Sequence, residues 1–286
     1  MQEIAPRVFI ETGYAGVTLG AVNWTHGLIL VDSPFRQEDT RSWRSALLNL
    51  GGGVDRLLVN LDAHFDRTLG TRAMECTVVG HEKLAQVFRN RPVSFKTQGT
   101  ETGAEWEQFN GLGSIRWAPP EITFTNHLDL FWDTQPLRLE YHPGPAAGAI
   151  WAVLVAEKVI FIGDAVVIDQ PPFLSHSDLA AWIEGLQLLL SAQYSNHILV
   201  SGRGGLVAHE SVRQQLAFLN KVQAGLDELA GDAASPEDTE GMIARLMMEI
   251  SCPQQRKQQY EQRLRWGLRQ YYQRHYRLSG IDPTEE

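Results

Sequence analysis

Val59-Asn60-Leu61-Asp62-Ala63-His64-Phe65-Asp66-Arg67-Thr68-Leu69-Gly70 is the stretch on which the reading of this chain turns. An apolar run, 57–59, leads into it, and Gly51-Gly52-Gly53 stands upstream, so it reads as a buried strand opening into a loop. The strand end holds one side of such a loop rigid while side chains converge on the other. Asp62, His64 and Asp66 alternate, and alternate side chains of an extended segment point the same way. Carboxylates and an imidazole on one side are a ligand set suited to zinc, iron or manganese.

This segment resembles the signature of the metallo-β-lactamase superfamily, T-H-x-H-x-D-H-x-x-G after a strand. Over that pattern Asp62 stands at the first His and His64 keeps the second. Asp66 keeps the Asp, Arg67 stands at the third His, and Gly70 matches the closing Gly. Other segments extend the resemblance in the same chain order. Val31-Asp32-Ser33 is similar to the superfamily's L-I-D-T strand end, whose Asp braces the metal loop. Tyr141-His142-Pro143-Gly144-Pro145-Ala146-Ala147-Gly148-Ala149 is similar to H-x-P-G-H-T-P-G-S, with Pro145 where the metal-binding His belongs. His142 could replace it only if the loop were reshaped. Val159-Ile160-Phe161-Ile162-Gly163-Asp164 is similar to V-L-F-T-G-D and sets Asp164 on the carboxylate that bridges two metals. Ser201-Gly202-Arg203-Gly204 is similar to P-G-H-G, with Arg203 at the last metal ligand.

The resemblance implies an α+β (α/β) fold, a four-layer αββα metallo-β-lactamase-like sandwich over residues 1–215 with a C-terminal helical extension over 216–286. An intact superfamily site uses five His and two Asp to hold two metals about 3.5 Å apart around a hydroxide nucleophile. Here the His positions read Asp62, His64, Arg67, Pro145 and Arg203, while Asp66 and Asp164 are kept. Arginine stays protonated and offers donors only, so it cannot ligate a cation. Two guanidinium groups beside two carboxylates can instead supply the charge a divalent ion would have brought. The expectation is a hydrolase-like protein whose dinuclear site is largely replaced by Arg/Asp ion pairs, non-classical or inactive as a zinc hydrolase. One alternative is a mononuclear hydrolase, with Asp62, His64 and Asp164 holding one zinc, iron or manganese ion to cleave a small ester, thioester, lactone or phosphoester. Another is metal-free work on a small anionic molecule, with His64 as base, Arg67 or Arg203 as anion binder and Asp66 beside them.

The rest of the composition narrows the class. At 286 residues, 43% hydrophobic and 21% charged, the chain can bury a full core. A net charge of −9 argues against nucleic acid or an anionic membrane as partner. Cys76 and Cys252 have no partner motif and read as buried, reduced thiols. Met1-Gln2-Glu3 opens no cationic leader, and no apolar run approaches the roughly 18 residues of a membrane span, so a cytoplasmic protein is expected.

Periodicity places strands at 8–14, 17–24, 27–33, 77–79, 122–124, 137–141 and 197–200, and helices at 33–50, 83–88 and 178–190. In the 91–120 insertion, Trp106 and Trp117 are candidates for a pocket wall or for plain core. The C-terminal part reads as helices over 210–229, 242–250 and 254–278. The last carries Arg256, Lys257, Arg263, Arg265, Arg269, Arg274 and Arg277 against the single acid Glu261. It is either a partner-binding tail or an amphipathic helix packed on the acidic body or at a homodimer interface.

Overall fold

The computed structural model describes residues 1–95, 102–113 and 115–277. Its first sheet has seven strands in chain order: β1 (Gln2–Ala5), β2 (Val8–Glu11), β3 (Leu19–Asn23), β4 (Gly27–Val31), β5 (Asp55–Val59), β6 (Thr77–His81) and β7 (Ile122–Phe124). Short turns make β1 to β4 an antiparallel meander, whereas longer crossovers leave β4 to β7 parallel. The second sheet contains β8 (His127–Leu130), β9 (Leu137–Tyr141), β10 (Ile150–Leu154), β11 (Val159–Val167), β12 (Ile198–Arg203) and β13 (Gly205–Val207), ordered β13-β12-β11-β10-β9-β8. Only β11 and β12 pair in parallel there, with α4 (Leu179–Leu189) crossing between them.

Alternation along the strands builds the layers. Ile29 and Val31 of β4 point into a core between the sheets, where they meet Ala152 and Leu154 of β10 and Phe161 of β11. Leu28 and Leu30 point the other way, onto Trp43 and Leu47 of α1 (Gln37–Leu47). On the second sheet Trp151 and Val153 face outward to α4, α5 (His209–Gly231), α6 (Glu240–Met247) and α7 (Lys257–Tyr272). The result is helix, sheet, sheet, helix, the expected four-layer sandwich. Between layers, α2 (Phe65–Thr68) and α3 (Glu82–Asn90) flank an aromatic cluster that buries both Trp106 and Trp117.

Several local expectations differ from what the chain does. β1 and β10 were not expected from the sequence. β1 is an exposed edge with no apolar alternation, and β10 is apolar on both faces and so shows no period of two. The helix expected from residue 33 starts at Gln37, because Pro34 keeps Ser33 out of helical backbone. The boundary expected between residues 215 and 216 lies inside α5, and α5 to α7 share one core with the second sheet. Cys76 and Cys252 are half-buried and unbridged rather than fully buried.

The basic C-terminal helix is packed on the body. Leu264, Leu268, Tyr271 and Tyr272 fill the core against α4 and α5. Arg265 and Arg269 bond Glu240 and Glu237, and Arg256 bonds Glu105 at 2.6 Å. The last residue of the expected 254–278 helix lies outside the described residues. Among the described residues no helix is long and apolar enough to cross a membrane.

Candidate functional site: a buried arginine–aspartate centre

The site lies where strands of both sheets end. Asp32 follows β4, residues 60–67 follow β5, Asp164 sits in β11 and Arg203 closes β12. Strand ends are where an α/β sheet exposes side chains that its interior would hide. β11 bulges at Gly163, whose φ of 56° only glycine adopts freely, and the irregularity adjoins Asp164.

Asp62 lies in a bend after β5 and His64 is extended, but α2 begins at Phe65 and strict alternation ends there. Asp66 therefore does not join Asp62 and His64 as strict alternation predicts. Its Oδ1 accepts from the Trp106 amide at 2.9 Å and its Oδ2 from Arg203 Nη1 at 2.7 Å. Asp62, His64 and Asp164 do come together, each offering a ligand atom within 4.8 Å of the others. Asp62 Oδ1 accepts from the His64 amide at 2.8 Å and lies 2.9 Å from His64 Nδ1, which is also 3.4 Å from Asp164 Oδ2.

Arg67 is 0% exposed and meets three carboxylates. Its Nη1 donates to Asp32 Oδ2 at 3.2 Å, its Nε faces Asp62 Oδ1 at 3.2 Å, and its Nη2 donates to Asp164 Oδ1. Its backbone carbonyl accepts from Ser33 Oγ at 3.0 Å and Asn60 Nδ2 at 3.2 Å, so main chain and side chain are both held. Gly202 makes room: a Cβ there would lie 2.8 Å from both Nη atoms of Arg67. Arg203, 3% exposed, donates through Nε to Asp164 Oδ2 at 2.8 Å and through Nη1 to Asp66 and to the Gly16 carbonyl. Both oxygens of Asp164 are thus engaged by guanidinium groups.

Charge sets the protonation states. Burial pushes Asp32 up to about 7, even though Arg67 pulls it down. Burial acts upward on Asp62 as well, but Arg67 and His64 hold its carboxyl far below the usual carboxylate range. Arg203 and Arg67 likewise overcome burial and lower Asp164. Both guanidinium groups gain more from their carboxylates than burial costs them and shift upward. Asp62 Oδ2, Arg67 Nε and Arg203 Nη2 are buried without a hydrogen-bond partner among the described residues, Arg67 Nε having only its ion-pair contact with Asp62.

Some residues bearing on the site carried no motif. Phe173 lies against the His64 ring at 5.2 Å between centroids and beneath the Arg203 guanidinium at 4.7 Å. Arg91 reaches in from the end of α3, donates to the Ala63 carbonyl at 2.7 Å and is stacked on Phe65, Phe88 and Trp117. These contacts span long sequence separations, and only a Pro-Pro pair before Phe173 marks its loop in the sequence. His142 is taken up by Trp151, stacked at 3.6 Å, and by Glu140 at 3.2 Å.

No protein-family model matches the chain, and no curated protein matches it. Solved structures do. A metallo-β-lactamase from Pontibacter korlensis is 20% identical and covers 77% of this chain and 97% of its own, with a TM-score of 0.58. One from Erythrobacter litoralis is 16% identical over 77% and 95%, with a TM-score of 0.58. The sec-alkylsulfatase Pisa1 from Pseudomonas sp. is 16% identical with a TM-score of 0.60, and it matches 97% of this chain across 50% of that longer one. The chain therefore has the metallo-β-lactamase fold, and at this identity the likeness is one of fold.

Proposed function

We propose that this is a hydrolase-like protein of metallo-β-lactamase fold in which Arg67 and Arg203 take the place of a dinuclear metal centre, so that it does not act as a conventional zinc hydrolase. One observation carries the reading: both oxygens of Asp164, the position that would bridge two ions, accept from guanidinium groups. A second ion would have to draw its ligands from Asp66, Arg67, Asp164 and Arg203. Two of those four are cations with no lone pair, and Asp66 is already bonded to Arg203 and Trp106. The donor set does not fit a dinuclear centre. The two guanidinium charges are met by the carboxylates of Asp32, Asp62, Asp66 and Asp164, so the chain's own residues supply positive charge where an ion would have supplied it. Elemental analysis of the purified protein tests this: far less than one equivalent of zinc, iron or manganese is expected. Two equivalents, lost on substituting Asp164, would overturn it.

A second reading rests on the proximity of Asp62, His64 and Asp164 and on the unpartnered Asp62 Oδ2. These residues could hold a single divalent ion, which would supply a polarised water for hydrolysis of a small ester, thioester, lactone or phosphoester. Asp164 would first have to leave its arginines. One equivalent of metal that protects the protein against heat, and is lost in His64→Ala, would favour it. Use of a small anionic ligand would fall to Arg203 rather than Arg67, since every Arg67 side-chain nitrogen already faces a carboxylate.

A further inference from the structure

Helix α7 lies far along the chain from the charged centre, yet it grips both loops that cover it. Arg263 of α7 is 1% exposed and has only neutral acceptors. Its Nε and Nη2 donate to the Gly103 carbonyl at 3.1 and 2.7 Å, and its Nη1 to Gln170 Oε1 at 2.8 Å and the Pro171 carbonyl at 3.0 Å. Gln259, one turn earlier, donates to the Gly103 carbonyl at 3.1 Å. Close approach is built in: at Gly103, where φ is 66°, a Cβ would lie 2.5 Å from the Gln259 carbonyl oxygen, and at Gly267 it would lie 3.1 Å from Leu174.

Each gripped loop continues directly into the centre. Three residues beyond Gly103, the Trp106 amide donates to Asp66, the carboxylate that anchors Arg203. Two residues beyond Pro171, Phe173 lies under Arg263 at 4.0 Å, under Arg203 at 4.7 Å and beside the His64 ring. Two like charges thus lie against one Phe173 ring, and the carbonyl acceptors hold Arg263 there against repulsion from Arg203.

We infer that α7 is a strap that closes over the arginine–aspartate centre, with Arg263 as its catch and Phe173 as the plate pressed onto His64 and Arg203. The inference is independent of whether a metal binds, because it concerns access to His64. The part that can open locally is the pair of loops: α7 itself stays in the core through Leu264, Leu268, Tyr271 and Tyr272, and the bonds from Arg263 and Gln259 are what hold 102–108 and 170–174 down.

The test uses the full-length protein. Acylation of His64 by diethyl pyrocarbonate, followed by peptide mass spectrometry, reports access; amide hydrogen exchange of 102–108 and 170–174 reports the loops. In Arg263→Leu both rise severalfold while circular dichroism stays that of the parent. Arg265→Leu, which removes the bonds to Glu240 and Gln262 on the outer side of the same helix, leaves both unchanged. If Arg263→Leu does not fold, Gln259→Ala gives the same pattern at smaller amplitude. A folded Arg263→Leu or Gln259→Ala with parental His64 reactivity and loop exchange overturns the proposal, as does an equal effect from Arg265→Leu.

Discussion

Replacing Arg67 with methionine keeps most of the buried volume and removes the charge that three carboxylates face. Breaking one buried ion pair by deleting a partner costs about 3–5 kcal/mol, because the remaining charge is stranded. Three such losses do not add in full. Asp164 keeps Arg203, Asp62 keeps His64, and Asp32, at about 7, readily takes up a proton. The net loss should therefore be on the order of 5 kcal/mol, a large part of the roughly 5–15 kcal/mol that holds a domain folded. The variant also uncovers Asp62, His64 and Asp164 as ligands free of the guanidinium most deeply set among them. A divalent ion at 100 times its dissociation constant would then restore about 2.7 kcal/mol. Urea unfolding at neutral pH, followed by the fluorescence of the eight tryptophans with and without excess manganese, measures both effects. The parent should be indifferent to manganese and Arg67→Met should be rescued by it. A variant within about 1 kcal/mol of the parent, or a parent stabilised as much as the variant, would refute the view that Arg67 stands in for a metal.

Asp32 predicts a pH dependence of definite sign. Its folded value is raised to about 7, so between roughly pH 4 and 7 the unfolded chain releases a proton that the folded chain keeps, and this group's contribution to stability falls as pH rises. The fall is on the order of a few kcal/mol across that window, and urea midpoints of Asp32→Asn against pH should lack it. Asp62 and Asp164 act in the opposite sense: held below the ordinary carboxylate range, they lend stability above about pH 4 that is lost on further acidification. Gly202→Ala should cost about 1–3 kcal/mol in urea unfolding, since its methyl would press on Arg67, and most of that cost should vanish in an Arg67→Met background.

The motif-bearing loops were legible because they combine turn glycines with strand ends, and both have local signatures. Gly163-Asp164 after a β-branched run and Gly202-Arg203 after another are examples: the first marks the bulge inside β11, which runs on to Val167, and the second closes β12. Apolar strands such as Ile150–Leu154 were less legible, because burial on both faces erases the alternation that marks a strand. The place of Asp66 was misjudged for a related reason. Nothing in Asp62-Ala63-His64-Phe65-Asp66 shows that helical backbone starts at Phe65, and that start turns Asp66 away from Asp62 and toward Trp106 and Arg203.

Residue identity alone determined that arginine occupies two positions where the resembling pattern has metal-binding histidine, since a guanidinium has no lone pair to lend. The four-layer sandwich was implied by the family resemblance that the motifs carry in their chain order. Which carboxylate each arginine serves was decided only by the tertiary structure. Arg67 meets Asp32, Asp62 and Asp164 and Arg203 meets Asp66 and Asp164 because two sheets bring distant strand ends within hydrogen-bond reach. The same is true of α7, whose hold on the site through Arg263 and Phe173 joins residues some ninety positions apart. Burial gives these contacts their strength, and burial belongs to the folded chain as a whole.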